Sequence, residues 1–173
     1  MNWIFKLSLM TVASFIPYSI KRELNILRLG RRDLVQTERY VLRYLNFLSP
    51  DVKEKYLSED LDLNILEFGP GENIFLSIHA WKYNNKVFFL DDGNYTNFNF
   101  DMVFDFAKLI EMPIDKLKKL EKIKNIDDLM NLTGSRFLSN GTQDLNFLKD
   151  NGYFFDLIFS TSVLEHINKE DLK

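Results

Sequence analysis

The apolar positions of this chain change period several times. Residues 63–68 form a short apolar run, and Glu67 stands inside it just before Gly69, Pro70 and Gly71. Ile74, Phe75, Leu76, Ile78 and Ala80 then recur at helical spacing. That order predicts a buried parallel strand, a tight glycine turn and a helix starting directly above it. Residues 86–90 read as a second strand running into Asp91 and Asp92, residues 136–138 as a brief third, and residues 156–160 as a fourth. Small hydroxyl residues and the opening of a helix follow the fourth strand.

Helical spacing fills much of the rest. Residues 33–48 predict an amphipathic helix with Leu34, Val41, Leu42, Leu45 and Leu48 inside, bounded by Gly30 and by Ser49-Pro50. Residues 53–62 are polar and lead into the first strand. The crossover over residues 94–134 is long. Within it Ile114, Leu117, Leu120 and Ile123 share one face of a short helix that Pro113 opens, and its lysines read as a solvated face. Residues 125–132 predict another short helix, closed by Gly134. The expected organisation is a helical N-terminal extension over residues 1–60 and a sheet-bearing domain over residues 61–173.

Composition narrows the class. With 173 residues, 46% hydrophobic and 27% charged, the chain has the make-up of one globular domain with a real core. It has no cysteine, which excludes disulfides, thiolate metal sites and cysteine nucleophiles, and no metal site is put forward. The net charge of −3 is uneven: residues 1–50 carry eight basic against three acidic side chains, +5, leaving −8 for the remainder. Residues 3–20 are the most apolar stretch and precede that basic segment. They read first as a helix packed on the domain, second as a helix lying on a membrane surface, and last as a span or signal. The location expected is cytoplasmic, with peripheral membrane contact under the second reading. Aromatics are not interleaved with the basic residues, so nucleic acid is not an expected partner.

The glycine turn carries the candidate chemistry. Glycines let a backbone come close to a ligand, which suggests a nucleotide-type cofactor at the end of the first strand. A dinucleotide turn wants Gly-x-Gly-x-x-Gly, and its last position here is Ile74. The spacing acid-x-Gly-x-Gly-x-Gly fits better: Glu67, Gly69 and Gly71 match, and Asn73 stands for the final glycine, as the residue that best tolerates left-handed backbone angles. Asp91, about twenty residues on, sits where a carboxylate accepts bonds from both ribose hydroxyls of an adenosine cofactor, with Asp92 as the next-door alternative and a plain turn carboxylate as the blander reading. The polar residues 139–145 follow the third strand, where an amide such as Gln143 can offer a donor and an acceptor to adenine.

Four separated segments in this order, 66–71, 136–142, 155–160 and 164–166, resemble the class I S-adenosylmethionine-dependent methyltransferases, and more narrowly bacterial methyltransferase-domain proteins, over about residues 60–170. The resemblance implies an α/β, Rossmann-like parallel sheet with its first four strands ordered 3-2-1-4. It implies S-adenosyl-L-methionine as cofactor, with Glu67 orienting the turn and Gly69, Pro70 and Gly71 beside the methionine part. Asp91 would hold the ribose, Thr142 and Gln143 would flank the adenine, and Ser160 would lie beside the cofactor. The implied reaction is methyl transfer to a small-molecule, lipid or saccharide acceptor, in which alignment supplies most of the acceleration. His166, just past the fourth strand, is the candidate catalytic base, the alternative being a helix histidine that packs under the site; His79 reads as structural, and Glu165 as a partner for the helix start. Two other classes stand beside this one: a dinucleotide or nucleotide-sugar oxidoreductase, and a non-catalytic binding module.

The sequence accounts for four of the seven strands of such a sheet. A C-terminally incomplete domain is therefore expected, with residues 154–159 as an exposed central strand edge that favours self-association and leaves little or no transfer activity.

Overall fold

The computed structural model describes residues 34–71, 73–91, 93 and 99–160. The expectations for residues 3–20, for the basic segment before residue 34, for Asp92, and for Glu165 and His166 lie outside these residues. The described residues form one compact unit.

Four strands build an all-parallel sheet: β1 (Asn64–Phe68), β2 (Lys86–Leu90), β3 (Arg136–Leu138) and β4 (Leu157–Ser160), in the order β3-β2-β1-β4. This is the expected α/β, Rossmann-like arrangement. Leu66 pairs with Phe88 on one side and Ile158 on the other, and Phe88 with Arg136. Alternation splits the sheet into two faces. Ile65, Val87, Phe89 and Phe159 point into the larger core, while Leu66, Phe88, Leu90 and Leu148 form a smaller one. A strand covered on both sides needs apolar residues at every position, which is why β2 reads Val-Phe-Phe-Leu without a break.

The larger face is covered by α1 (Leu34–Phe47), α3 (Phe75–Lys82), α4 (Phe100–Leu109) and α6 (Ile126–Thr133). In α1 the buried stripe is Thr37, Val41, Tyr44 and Leu45, one face of a 3.6-residue period, and Leu42 lies a 100° step away at 40% exposure instead of inside. Residues of α1 thus share the core of the sheet. α2 (Pro50–Leu57) occupies part of the stretch expected to be a polar lead-in. Pro50 opens it, and one wholly buried side chain, Tyr56, anchors it, too little to give a periodic pattern.

α4 falls in the long crossover, where no helix over these residues was expected; Asp101, Asp105 and Lys108 line its outer face and Val103, Phe106 and Ala107 its buried one. Asn99 caps it, accepting from the Met102 N–H at 3.1 Å. α5 (Ile114–Leu120) buries Leu120, with Ile123 just beyond its end, but leaves Ile114 exposed in the first turn. Its lysines are not all solvated. Lys116 Nζ donates to the carbonyls of Trp81 and Lys82 and to Asn84 Oδ1 at 2.6, 3.0 and 2.8 Å, so its three protons close the C-terminal end of α3, where the helix dipole is negative. α6 has the expected ends: Asn125 accepts from Asp128 N–H at 2.9 Å, and Gly134 turns left-handed at φ 67°.

On the smaller face the expected polar turn after β3 is instead the start of α7 (Thr142–Asp150), held to the sheet by Leu148. β4 begins at Leu157, so Phe154 and Phe155 precede it rather than belonging to a central strand. Phe159 is buried, whereas Phe154 and Ile158 are 85% and 62% exposed. Among the described residues β4 has one strand neighbour, β1.

Candidate functional site

The order of strands reverses its direction of growth between β1 and β4, and in such sheets the crevice at the carboxyl ends of these strands is the natural ligand site. The loops leaving β1, β2 and β3 are stitched together there by backbone bonds. Gly69 N–H donates to Leu90 O at 2.8 Å, Asp91 N–H to Leu138 O at 2.9 Å, and Gly141 N–H to Asp91 O at 3.0 Å. Gly69 and Gly71 both have positive φ, 62° and 59°, which accounts for glycine at these positions. A Cβ built on Gly71 would meet nothing within 4 Å, so the space beside it is open.

Asp91 lies in this crevice, and its Oδ2 accepts the Gly71 N–H at 3.0 Å. The carboxylate expected to hold a ribose is therefore also a brace for the glycine turn.

Asn73 does not stand in for glycine in the way expected. The non-glycine residues with positive φ among those described are Asn84 and Glu111, so Asn73 is not left-handed. Its side chain explains the position instead: Oδ1 accepts the Phe75 N–H at 3.0 Å and so opens α3, and the residue is 4% exposed. Its Nδ2 is buried and has no partner among the described residues, and the same is true of Ser160 Oγ. Ser160 ends β4 directly opposite Phe68, the last residue of β1.

Glu67 turns the other way, into the larger core. It is wholly buried between its strand neighbours Phe89 and Phe159. Oε1 accepts from the Tyr40 and Tyr44 hydroxyls at 2.9 and 2.8 Å, and those two oxygens are themselves 2.8 Å apart. These bonds tie α1 to β1, a connection the sequence reading did not find. The signal was present as two tyrosines four residues apart on the buried side of α1.

Gln143 lies in the first turn of α7 with its side chain exposed, and Thr142 is the first residue of that helix. Both follow β3, at the same end of the sheet as the glycine turn.

His79 is far from this chemistry. It lies on α3, 6% exposed, and its Nδ1 is 2.9 Å from the Tyr56 hydroxyl. Burial, with Lys82 adding, lowers its pKa to about 4, while burial pushes Tyr56 up. The unfolded chain binds this proton near pH 6.5 and the folded one only near pH 4. Stability is thus unaffected above about pH 6.5 and falls as pH drops from there towards 4, by at most about 3 kcal/mol for this group. Urea unfolding at pH 7, 5.5 and 4 should show this loss. The double variant His79→Phe/Tyr56→Phe should lose distinctly less over the same range; equal slopes would remove His79 as the sensor.

A separate hollow of about 460 Å³ is lined by Glu59, Asp62, Trp81, Asn84, Lys86 and Asn131. Its Asp62 is paired with Lys86, at the start of β2 rather than at the strand ends that form the crevice. No helix among the described residues is long and apolar enough to cross a membrane. Comparison with family models, with curated proteins and with solved structures finds no significant match to this chain.

Proposed function

We propose that the chain binds S-adenosyl-L-methionine in the crevice between β1 and β4 and directs its methyl group to a small-molecule, lipid or saccharide acceptor. The observation that carries this reading is a positive-φ glycine turn braced by the Asp91 carboxylate at the switch point of a 3-2-1-4 parallel sheet. Gly69, Pro70 and Gly71 would lie against the amino-acid part, Asp91 against the ribose hydroxyls, and Thr142 and Gln143 beside the adenine. Ser160 would close the β4 side.

The bound cofactor would supply an electrophilic sulfonium methyl. The chain's own work is to hold the acceptor in line with it and to keep water out. His166 is the proposed base for an acceptor that must lose a proton. Ile74, 2% exposed and packed in the core where a dinucleotide turn needs glycine, favours this reading over an oxidoreductase.

Titration calorimetry tests the proposal: S-adenosylhomocysteine should bind and reduced nicotinamide dinucleotide should not. Methyl transfer from labelled cofactor into a cell extract then separates an enzyme from a binding module. Asp91→Asn keeps an oxygen for the Gly71 N–H but removes the charge facing the ribose. It should cost about 1–3 kcal/mol of S-adenosylhomocysteine affinity with a much smaller change in stability. An unchanged affinity would end the ribose assignment.

A further inference from the structure

Asn73 has a division of labour that a structural residue does not need. Its Oδ1 is committed to the Phe75 N–H, and that donor fixes which end of the amide is oxygen. Nδ2 is then left with two N–H groups, in a residue 4% exposed, and no acceptor among the described residues. Leaving a buried amide donor unmet is costly, and a side chain without one, serine or aspartate, would open α3 equally well. The second unmet group, Ser160 Oγ, ends the neighbouring strand opposite Phe68, five residues before Asn73. Both residues lie past or at the carboxyl ends of the adjacent strands β1 and β4.

We infer that Asn73 is a specificity-determining residue whose side-chain amide donates to the carboxylate on the amino-acid end of the ligand, with Ser160 as a second polar contact on the β4 side. This rests on the cofactor reading above and adds to it. The position where the resembled pattern carries glycine has acquired a side chain that binds, so restoring glycine should weaken the site rather than improve it. An amide donor suits an anionic acceptor, because bonds to charged groups are the stronger ones.

The test compares S-adenosylhomocysteine, which carries the carboxylate, with 5′-methylthioadenosine, which does not, by calorimetry on the full chain. The parent should bind the first more tightly. Asn73→Asp keeps the acceptor for Phe75 N–H and replaces the donor with a repelling charge. It should weaken S-adenosylhomocysteine about ten- to hundredfold and methylthioadenosine less than about threefold. Asn73→Ser, uncharged and still able to accept the Phe75 N–H, should show the same loss in smaller measure, and serves if the aspartate variant does not fold. Equal binding of both ligands by the parent overturns the inference and leaves the cofactor reading standing, as does undiminished S-adenosylhomocysteine binding by either variant. A parent that binds neither ligand removes both.

Discussion

Gly71→Val should reduce S-adenosylhomocysteine binding at least about a hundredfold, more than any other single change at the crevice. Two effects combine. The space beside Gly71 holds no protein atom within 4 Å of a Cβ, so a branched side chain there would fill the volume assigned to the ligand. The residue also sits at φ 59°, where a β-branched side chain is strained by about 1–3 kcal/mol. Gly152 separates the two contributions. It has φ 67°, a Cβ there also meets nothing within 4 Å, and it follows α7 at the end remote from the glycine turn. Gly152→Val should lose similar stability and keep its affinity. If both variants bind as the parent does, the turn is structural and the cofactor reading loses its main support.

The largest loss of stability is expected from the Tyr40→Phe/Tyr44→Phe double variant. Its two hydroxyls donate to a carboxylate that is wholly buried between phenylalanines. Hydrogen bonds from hydroxyls to a buried carboxylate are worth about 1.5–3 kcal/mol each. Removing both hydroxyls should therefore cost about 3–5 kcal/mol in urea unfolding at pH 7. The two substitutions share one acceptor oxygen, so their effects should not add. A double variant within 1 kcal/mol of the parent would mean that the carboxylate does not depend on α1.

The network also changes what Glu67 is for. The sequence pattern assigned the acid to the glycine turn; its described bonds fasten a helix preceding the sheet to the central strand. That difference is typical of what a one-dimensional pattern conveys. Short-range regularities survive in it. The unbroken apolar run of β2, the acid-glycine spacing after β1 and the Asn-to-Gly frame of α6 each follow from backbone geometry or burial within a few residues, and each element is where the spacing predicted. The parallel order β3-β2-β1-β4 came instead through resemblance of four separated segments, and the structure bears it out.

Tertiary contact decided the rest. α2 and α7 are helices whose burial hangs on a single side chain, Tyr56 or Leu148, and one buried residue makes no period. α4, by contrast, is amphipathic, with Asp101, Asp105 and Lys108 outside and Val103, Phe106 and Ala107 inside, so its stripe is legible in the sequence although no helix was expected there in the crossover. Lys116 looked solvated because nothing local reveals that the open end of α3 lies within reach. At the site itself, sequence by itself determined the glycine turn and an acid about twenty residues later. Only folding brought Asp91 onto the Gly71 N–H and set Ser160 opposite Phe68, because those relations join residues 20 to roughly 90 positions apart and depend on which strand lies beside which.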